Sequence, residues 1–414
     1  MRERDIRSVA GLAGEAGTVL TSLVRDMHLG IAGRVFSAVG PVSKPTQVVH
    51  DAISATVYRA VDGGIRGATH GGGALAGRLC GHDGDSPLES RPKIRATAAV
   101  LNGLYGHQLA AHSNGFAPTM HIRHDDEVVP LTADALTAAY PAATGRVVVF
   151  LHGLFLTELS WWRRPRTGDD ERSYGERLRQ DLDYTPIYLR YNTGLHVSDN
   201  GQSLAGLLHR MTDLWPVPVD DIVLVGHSMG GLVARSGCYY GKQQHHPWTE
   251  RLRHVVCLGS PHLGADVEKG VNAASWALEQ LRETRGISKF LNRRSVGIKD
   301  LRYGACVEDD WRGHDPDELL RDRCTEVPFL AGVTYHFVAT TATPAAVGLL
   351  LGDHLVRPGS ASGAGKHRII PFEPSHGLTL VGTHHLDLLN HPKIHAKLHE
   401  WLGQRSTPKM PSPA

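Results

Sequence analysis

The sequence is short of several things. No window of its 414 residues is apolar for long enough to cross a bilayer, and the opening MRERDIRSVAGLAGEAGTVL interrupts its apolar residues with charge, unlike the continuous core of a secretory signal. A soluble, cytoplasmic protein is therefore expected. Net charge is nearly absent too: 44 Lys and Arg against 42 Asp and Glu leave a formal +2, so no whole-molecule field draws the chain to nucleic acid. Cysteine is scarce, with 5 residues (Cys80, Cys238, Cys257, Cys306, Cys324), odd in number and scattered, which points to reduced, buried thiols. Cys306 and Cys324 could still pair across one loop. Histidine is abundant at 26, but the pairs His245-His246 and His384-His385 lack the Cys/His spacing of a zinc site, so no metal and no cofactor is expected.

What is present divides the chain unequally. With 41% hydrophobic and 21% charged residues it can bury a large core. Residues 1–112 read as a helical extension and linker, with apolar positions at helical spacing (Leu20, Val24, Ile31, Val35; Val49, Ile53, Val57, Val61), a linker over Cys80 to Lys93 and a further helix over Ile94 to Ala111. This extension is expected to pack on the main domain, with contact at a membrane interface as the sharper alternative.

Residues 113–402 alternate strand and helix signals, as a mostly parallel central sheet with helices on both faces requires. A hairpin is expected over MHIRHDDEVVPL, turning at Asp125-Asp126. Strands are expected at Arg146 to Leu154, Thr185 to Asn192, the run before Ser228, Arg253 to Pro261, Thr334 to Thr341 and Leu378 to Gly382. Helices are expected at Ser173 to Leu182, Ser203 to Leu214, the run after Gly230 and Pro392 to Leu402. A cap insertion falls at about 266–328, and 403–414 reads as a disordered tail.

The chemistry is concentrated in DIVLVGHSMGGLVARSG, Asp221 to Gly237. A buried apolar strand changes to a helix within three residues, with Ser228 at the change and a glycine two positions away on either side. Gly-X-Ser-X-Gly in that context is a nucleophile elbow, a turn tight enough to hold the serine in a strained conformation and raise its hydroxyl above the sheet edge. A serine needs a base and a carboxylate to become a nucleophile, and the chain order Ser, Asp, His puts both downstream. Asp353, in LLGDHLVRPG after a strand, is the candidate acid. VGTHHLDLL offers adjacent candidates for the base, His384 and His385, of which His385 is preferred; His376 and His391 are outsiders. His227 is read as a packing and hydrogen-bonding residue. The loop His152-Gly153-Leu154 after VVVF supplies donors for an oxyanion, with the main-chain N–H groups of Leu154 and Met229 as the expected pair.

Taken together, VVVFLHGL, GHSMGGLVAR, LGSPHLGA, GDHLV and GTHHLDLL resemble the α/β-hydrolase superfamily, and within it bacterial esterases and lipases related to triacylglycerol lipases and GPI inositol-deacylases. The resemblance spans about residues 116–402. It implies an α/β-hydrolase fold, with Ser228, Asp353 and His385 as catalytic triad.

The expected substrate is a small-molecule or lipid ester with an apolar acyl part. Phe155, Trp161 and Trp162, together with Leu154 and His152, are the candidate substrate-binding residues, and the cap carries Trp276, Leu278, Leu281, Ile287, Phe290 and Leu291 for an apolar underside. Arg163, Arg164 and Arg166 suit either an anionic headgroup or a solvated loop. The expected function is a serine hydrolase, a lipase or carboxylesterase working through an acyl-enzyme on Ser228. Amidase, thioesterase and acyltransferase activities would use the same residues, and a non-catalytic binding protein on the same fold is the contrasting class.

Overall fold

The structure, a computed structural model, describes residues 44–67, 92–111, 118–165, 170–265, 294–315, 322–341, 356–365 and 368–403, with a few single positions besides. Asp353, the cap residues Trp276 to Leu291 and the segment 404–414 lie outside the described residues.

Eight strands form one sheet: β1 (His121–His124), β2 (Glu127–Val129), β3 (Arg146–Leu151), β4 (Thr185–Arg190), β5 (Asp221–His227), β6 (Leu252–Leu258), β7 (Thr334–Thr341) and β8 (Gly377–Val381), in the order β2-β1-β4-β3-β5-β6-β7-β8. β3 to β8 pair in parallel, and the β1–β2 hairpin adds antiparallel to β4. The hairpin turns at Asp125 (φ 44°) and Asp126 (φ 65°), two left-handed residues in the arrangement a two-residue hairpin favours.

Around the sheet are the helices α1 (Lys44–Arg66), α2 (Pro92–Ala111), α3 (Ala133–Ala139), α4 (Tyr174–Leu182), α5 (Val197–Leu214), α6 (Met229–Gln243), α7 (Val296–Asp300), α8 (Pro358–Ala361) and α9 (Pro392–Gly403). Alternation along the central strands feeds two separate cores. Val147, Val149, Leu151, Ile222, Leu224, Val255 and Cys257 face one layer with α5 and α6. Val148, Phe150, Val223, Val225, Val256 and Leu258 face the other with α4 and α9. Strands apolar on both faces are the reason the sequence reads as unbroken β-branched runs there.

Some local details follow from nearby residues. Ser173 and Glu176 form a reciprocal cap on α4, with Glu176 N–H to Ser173 Oγ at 3.2 Å and Ser173 N–H to Glu176 Oε2 at 2.6 Å. Others depend on residues far along the chain. α5 starts at Val197, six positions before the Ser203 expected from sequence, because the buried carboxylate of Asp300 accepts the Val197 N–H at 2.8 Å and faces His196 Nδ1 at 3.0 Å. A first-turn donor is thus satisfied by a side chain about a hundred residues away, which local pattern does not reveal.

The thiols of Cys238, Cys257 and Cys306 are free and buried, and burial pushes them up to about 12, 12 and 11. Cys306 and Cys324 are unpaired with each other, so the loop pairing considered from sequence does not form. Among the described residues no helix is long and apolar enough to cross a membrane, and no cluster of three or more His, Cys, Asp or Glu is arranged to hold a metal ion.

At the end of the sheet opposite the strands' C-termini, His254 and His336 are buried side by side, Nδ1 to Nε2 at 3.1 Å, with His336 stacked on Trp401 and next to His376. Burial lowers His254 to about 4 and His336 to about 3, the latter helped by the neighbouring histidines. Both rings are neutral when folded but take protons below about 6.5 when unfolded, so the unfolded chain binds more protons and stability falls as pH falls from about 6.5 towards 4. The thermal midpoint should drop across that window, and His336→Phe should flatten the drop in a pH series of melting curves.

Candidate active site

β3 lies at the point where the chain changes direction across the sheet: β4 follows it on one side and β5 on the other. In open parallel sheets such a switch opens a crevice at the strands' C-terminal ends. The loop after β3 and the turn after β5 meet there.

The turn after β5 is the elbow. Ser228 sits between β5 and α6 with φ 53° and ψ −122°, a region costly for any residue with a Cβ. Both glycines of the motif are required by close approach. A Cβ at Gly226 would overlap the Gly230–Gly231 backbone, and one at Gly230 would overlap the Leu151 carbonyl and sit 2.8 Å from the His152 carbonyl. Ser228 itself is half-buried, and its N–H donates to the Leu258 carbonyl at 2.8 Å, tying the elbow to the end of β6.

The imidazole of His385 packs beside the same turn, against the ring of His227. His385 opens a short 3-10 helix (His385–Leu389) and is buried, its ring against Gly259, the residue after Leu258, where a Cβ would lie 3.1 Å from the ring's Cε1. His227 holds it: its Nε2–H donates to the His385 carbonyl at 3.1 Å and the ring centroids are 4.8 Å apart. His384, the neighbouring candidate, is exposed, and its N–H caps onto Asp387 at 3.3 Å. His376 stands before β8, at the opposite end of the sheet.

The loop after β3 passes directly against Ser228. A Cβ at Gly153 would lie 3.1 Å from Ser228 Cβ and 2.9 Å from His227 Nδ1, so only glycine passes here. Leu154 and Phe155 follow, and Phe155 adopts φ 63°. Met229 opens α6, where first-turn N–H groups have no partner within the helix and the helix dipole favours negative charge. Leu154 and Met229 thus belong to the two elements that meet at Ser228, the loop after β3 and the start of α6.

The remaining candidates are spread around this centre. His152 is fully buried and stacked on Tyr191 at 4.3 Å; the Tyr191 hydroxyl donates to the His152 carbonyl, and burial lowers the imidazole to about 4, so a neutral ring braces the loop. Trp161 is buried under the elbow, edge-on to His227 at 6.5 Å and packed on Phe150 at 4.9 Å. Trp162 is exposed and lies on Tyr188 at 4.2 Å. Arg163 and Arg164 are exposed, and Arg164 pairs with Glu171 only at 3.8 Å, an arrangement worth little in water.

Sequence reading missed the polar support beneath this loop. Glu158, just past Phe155, is 1% exposed and accepts from Arg190 at 2.6 Å, with Arg123 at 3.4 Å. Burial alone would raise its carboxyl, but the bonds and charges of Arg190 and Arg123 outweigh it and hold the group below its ordinary range. Glu158→Ala would remove the buried carboxylate to which Arg190 donates and should cost about 3–5 kcal/mol, measured as a lower denaturant midpoint. A Glu 32 residues from Arg190 and 35 from Arg123 carries no local motif, so nothing short of the fold exposes it.

Residues 142–315 match the model of the PGAP1-like alpha/beta domain. The chain has the α/β-hydrolase fold. Among solved structures, it is similar to the lipase BlEst2 of Bacillus licheniformis in its mature form, with 17% identity, 62% of this chain and 91% of that one covered and a TM-score of 0.42. It is similar to the Pyrococcus furiosus esterase Pf2001 with 12% identity, 63% and 83% covered and a TM-score of 0.35. An alpha/beta hydrolase fold protein from Chitinophaga pinensis follows with 11% identity, 64% and 91% covered and a TM-score of 0.36. No curated protein matches the chain significantly.

Proposed function

We propose that this α/β-hydrolase is a serine ester hydrolase, a lipase or carboxylesterase acting on esters with an apolar acyl part. The observation that carries the reading is the strained Ser228, with the buried His385 imidazole and the Gly153 loop both converging on its turn. In this reading Ser228 Oγ attacks the ester carbonyl carbon and its proton passes to His385, which Asp353 orients. The carbonyl oxygen becomes an oxyanion held by the N–H groups of Leu154 and Met229. Collapse expels the alcohol, which takes the proton from His385, and leaves an acyl-serine. Water, deprotonated by the same imidazole, then releases the acid.

Leu154 and Trp162 offer apolar surface for the acyl part, while the Phe155 ring is turned onto Gly103. The test is twofold: a fluorophosphonate should add covalently to Ser228, located by peptide mass, and p-nitrophenyl esters of short and long chain should be hydrolysed. An unlabelled serine together with an inert ester panel would overturn the reading. A panel including amides and thioesters separates leaving groups on the same protein.

A further inference from the structure

We propose that α2, a helix outside the residues matched by the family model, is a positioning element of the oxyanion loop, with Gly103 as the seat of the Phe155 ring. The proposal rests on the serine-hydrolase reading, because it assigns a second element to the same oxyanion site.

Phe155 follows Leu154 and adopts φ 63°, a conformation that a bulky side chain takes only when its surroundings hold it there. One edge of its ring packs on α2 at Gly103. A Cβ at Gly103 would overlap Phe155 Cδ1 and sit 2.6 Å from Cε1, so any residue other than glycine pushes the ring, and the loop with it, away from the helix. The loop has little freedom to yield elsewhere, since Gly153 is already in contact with Ser228 and His227.

The helix is fixed on its other contacts. Asn192 Nδ2 donates to the Gly106 carbonyl at 3.0 Å, the Thr193 N–H donates to Asn102 Oδ1 at 3.0 Å, and a Cβ at Gly106 would sit 3.1 Å from the Gly194 Cα. Ser295, in the segment leading into α7, donates from Oγ to the Gly103 carbonyl at 2.5 Å. Asn102 and Gly103 with Gly106 thus bind three parts of the catalytic domain at one place: the oxyanion loop, the β4–α5 connection and the residue that precedes α7. Small residues three apart let the helix come that close, and their spacing puts both on the inner side. A helix with no chemistry of its own therefore sets where Leu154 presents its N–H.

The test is a double-mutant cycle. Gly103→Ala should lower kcat and the rate of Ser228 phosphonylation on the order of 10²-fold, as displacement of a reacting geometry by about 1 Å does. KM should stay within roughly threefold. In a Phe155→Leu background, where the ring is gone, adding Gly103→Ala should cost less than roughly threefold, because coupled neighbours are not additive. Equal loss in both backgrounds, or an unchanged kcat in Gly103→Ala, overturns the proposal. Should Gly103→Ala not fold, Phe155→Ala, which removes bulk, carries the decision: kcat falls by a similar factor if the seat matters, and an unchanged kcat overturns the assignment. Wild-type labelling of Ser228 with kcat equal across the variants sinks the role of α2 alone. An unlabelled wild type sinks the hydrolase reading and this proposal with it.

Discussion

Replacing Ser228 by alanine is expected to lower ester turnover by at least roughly three orders of magnitude, the scale seen when the nucleophile of such a triad is removed. Folding should be untouched, because alanine keeps the same Cβ in the same backbone conformation (φ 53°, ψ −122°) and loses only the hydroxyl. Ser228→Gly gives the complementary result. It removes the Cβ that the left-handed turn strains, so it should be equally inactive yet more stable than wild type by about 1–2 kcal/mol, seen as a raised denaturant midpoint. Turnover within a few-fold of wild type in either variant would mean that the elbow is only a strand-to-helix turn. Fluorophosphonate labelling should vanish from both.

The second large effect separates two adjacent histidines. His385→Ala should lose roughly three orders of magnitude or more in kcat, as loss of the general base does, and His384→Ala should stay within about threefold of wild type. The contrast follows from burial and direction: His385 lies buried against Gly259 beside the elbow, while His384 is exposed and caps the short helix through its backbone. Its exposed side chain leaves that cap in place when it is removed. Measuring kcat for both variants at one pH decides the point, and equal losses would show that the doubled histidine shares the task.

How much of this was legible in the sequence differs from residue to residue. The strands β3, β5 and β6 could be placed because their burial on both faces writes itself as unbroken runs of Val, Ile and Leu. The elbow could be placed because its two glycines have no alternative where backbones touch. The start of α5 could not, since its cap is Asp300, nor could the Glu158–Arg190 pair, whose partners lie 32 positions apart in the chain. Which of the two adjacent histidines is buried was half legible. Sequence narrows the candidates to two neighbours, but which ring points inward depends on the turn after β8 and on His227 fastening the His385 carbonyl, both tertiary facts. Asp353 remains a reading from its place after β7 and from the family's Gly-Asp-X-Leu-Val segment.

Cys238, Cys257 and Cys306 give the protein a built-in clock. A thiol held near 11 or 12 carries almost no thiolate at pH 8, so an alkylating reagent can consume it only after the layers around the sheet have parted. The carbamidomethylation gained with time at these three cysteines, located by peptide mass, then reports how often the core opens, independently of any substrate. Run beside serine labelling on one preparation, it tells a variant that has lost its chemistry from one that has lost its shape.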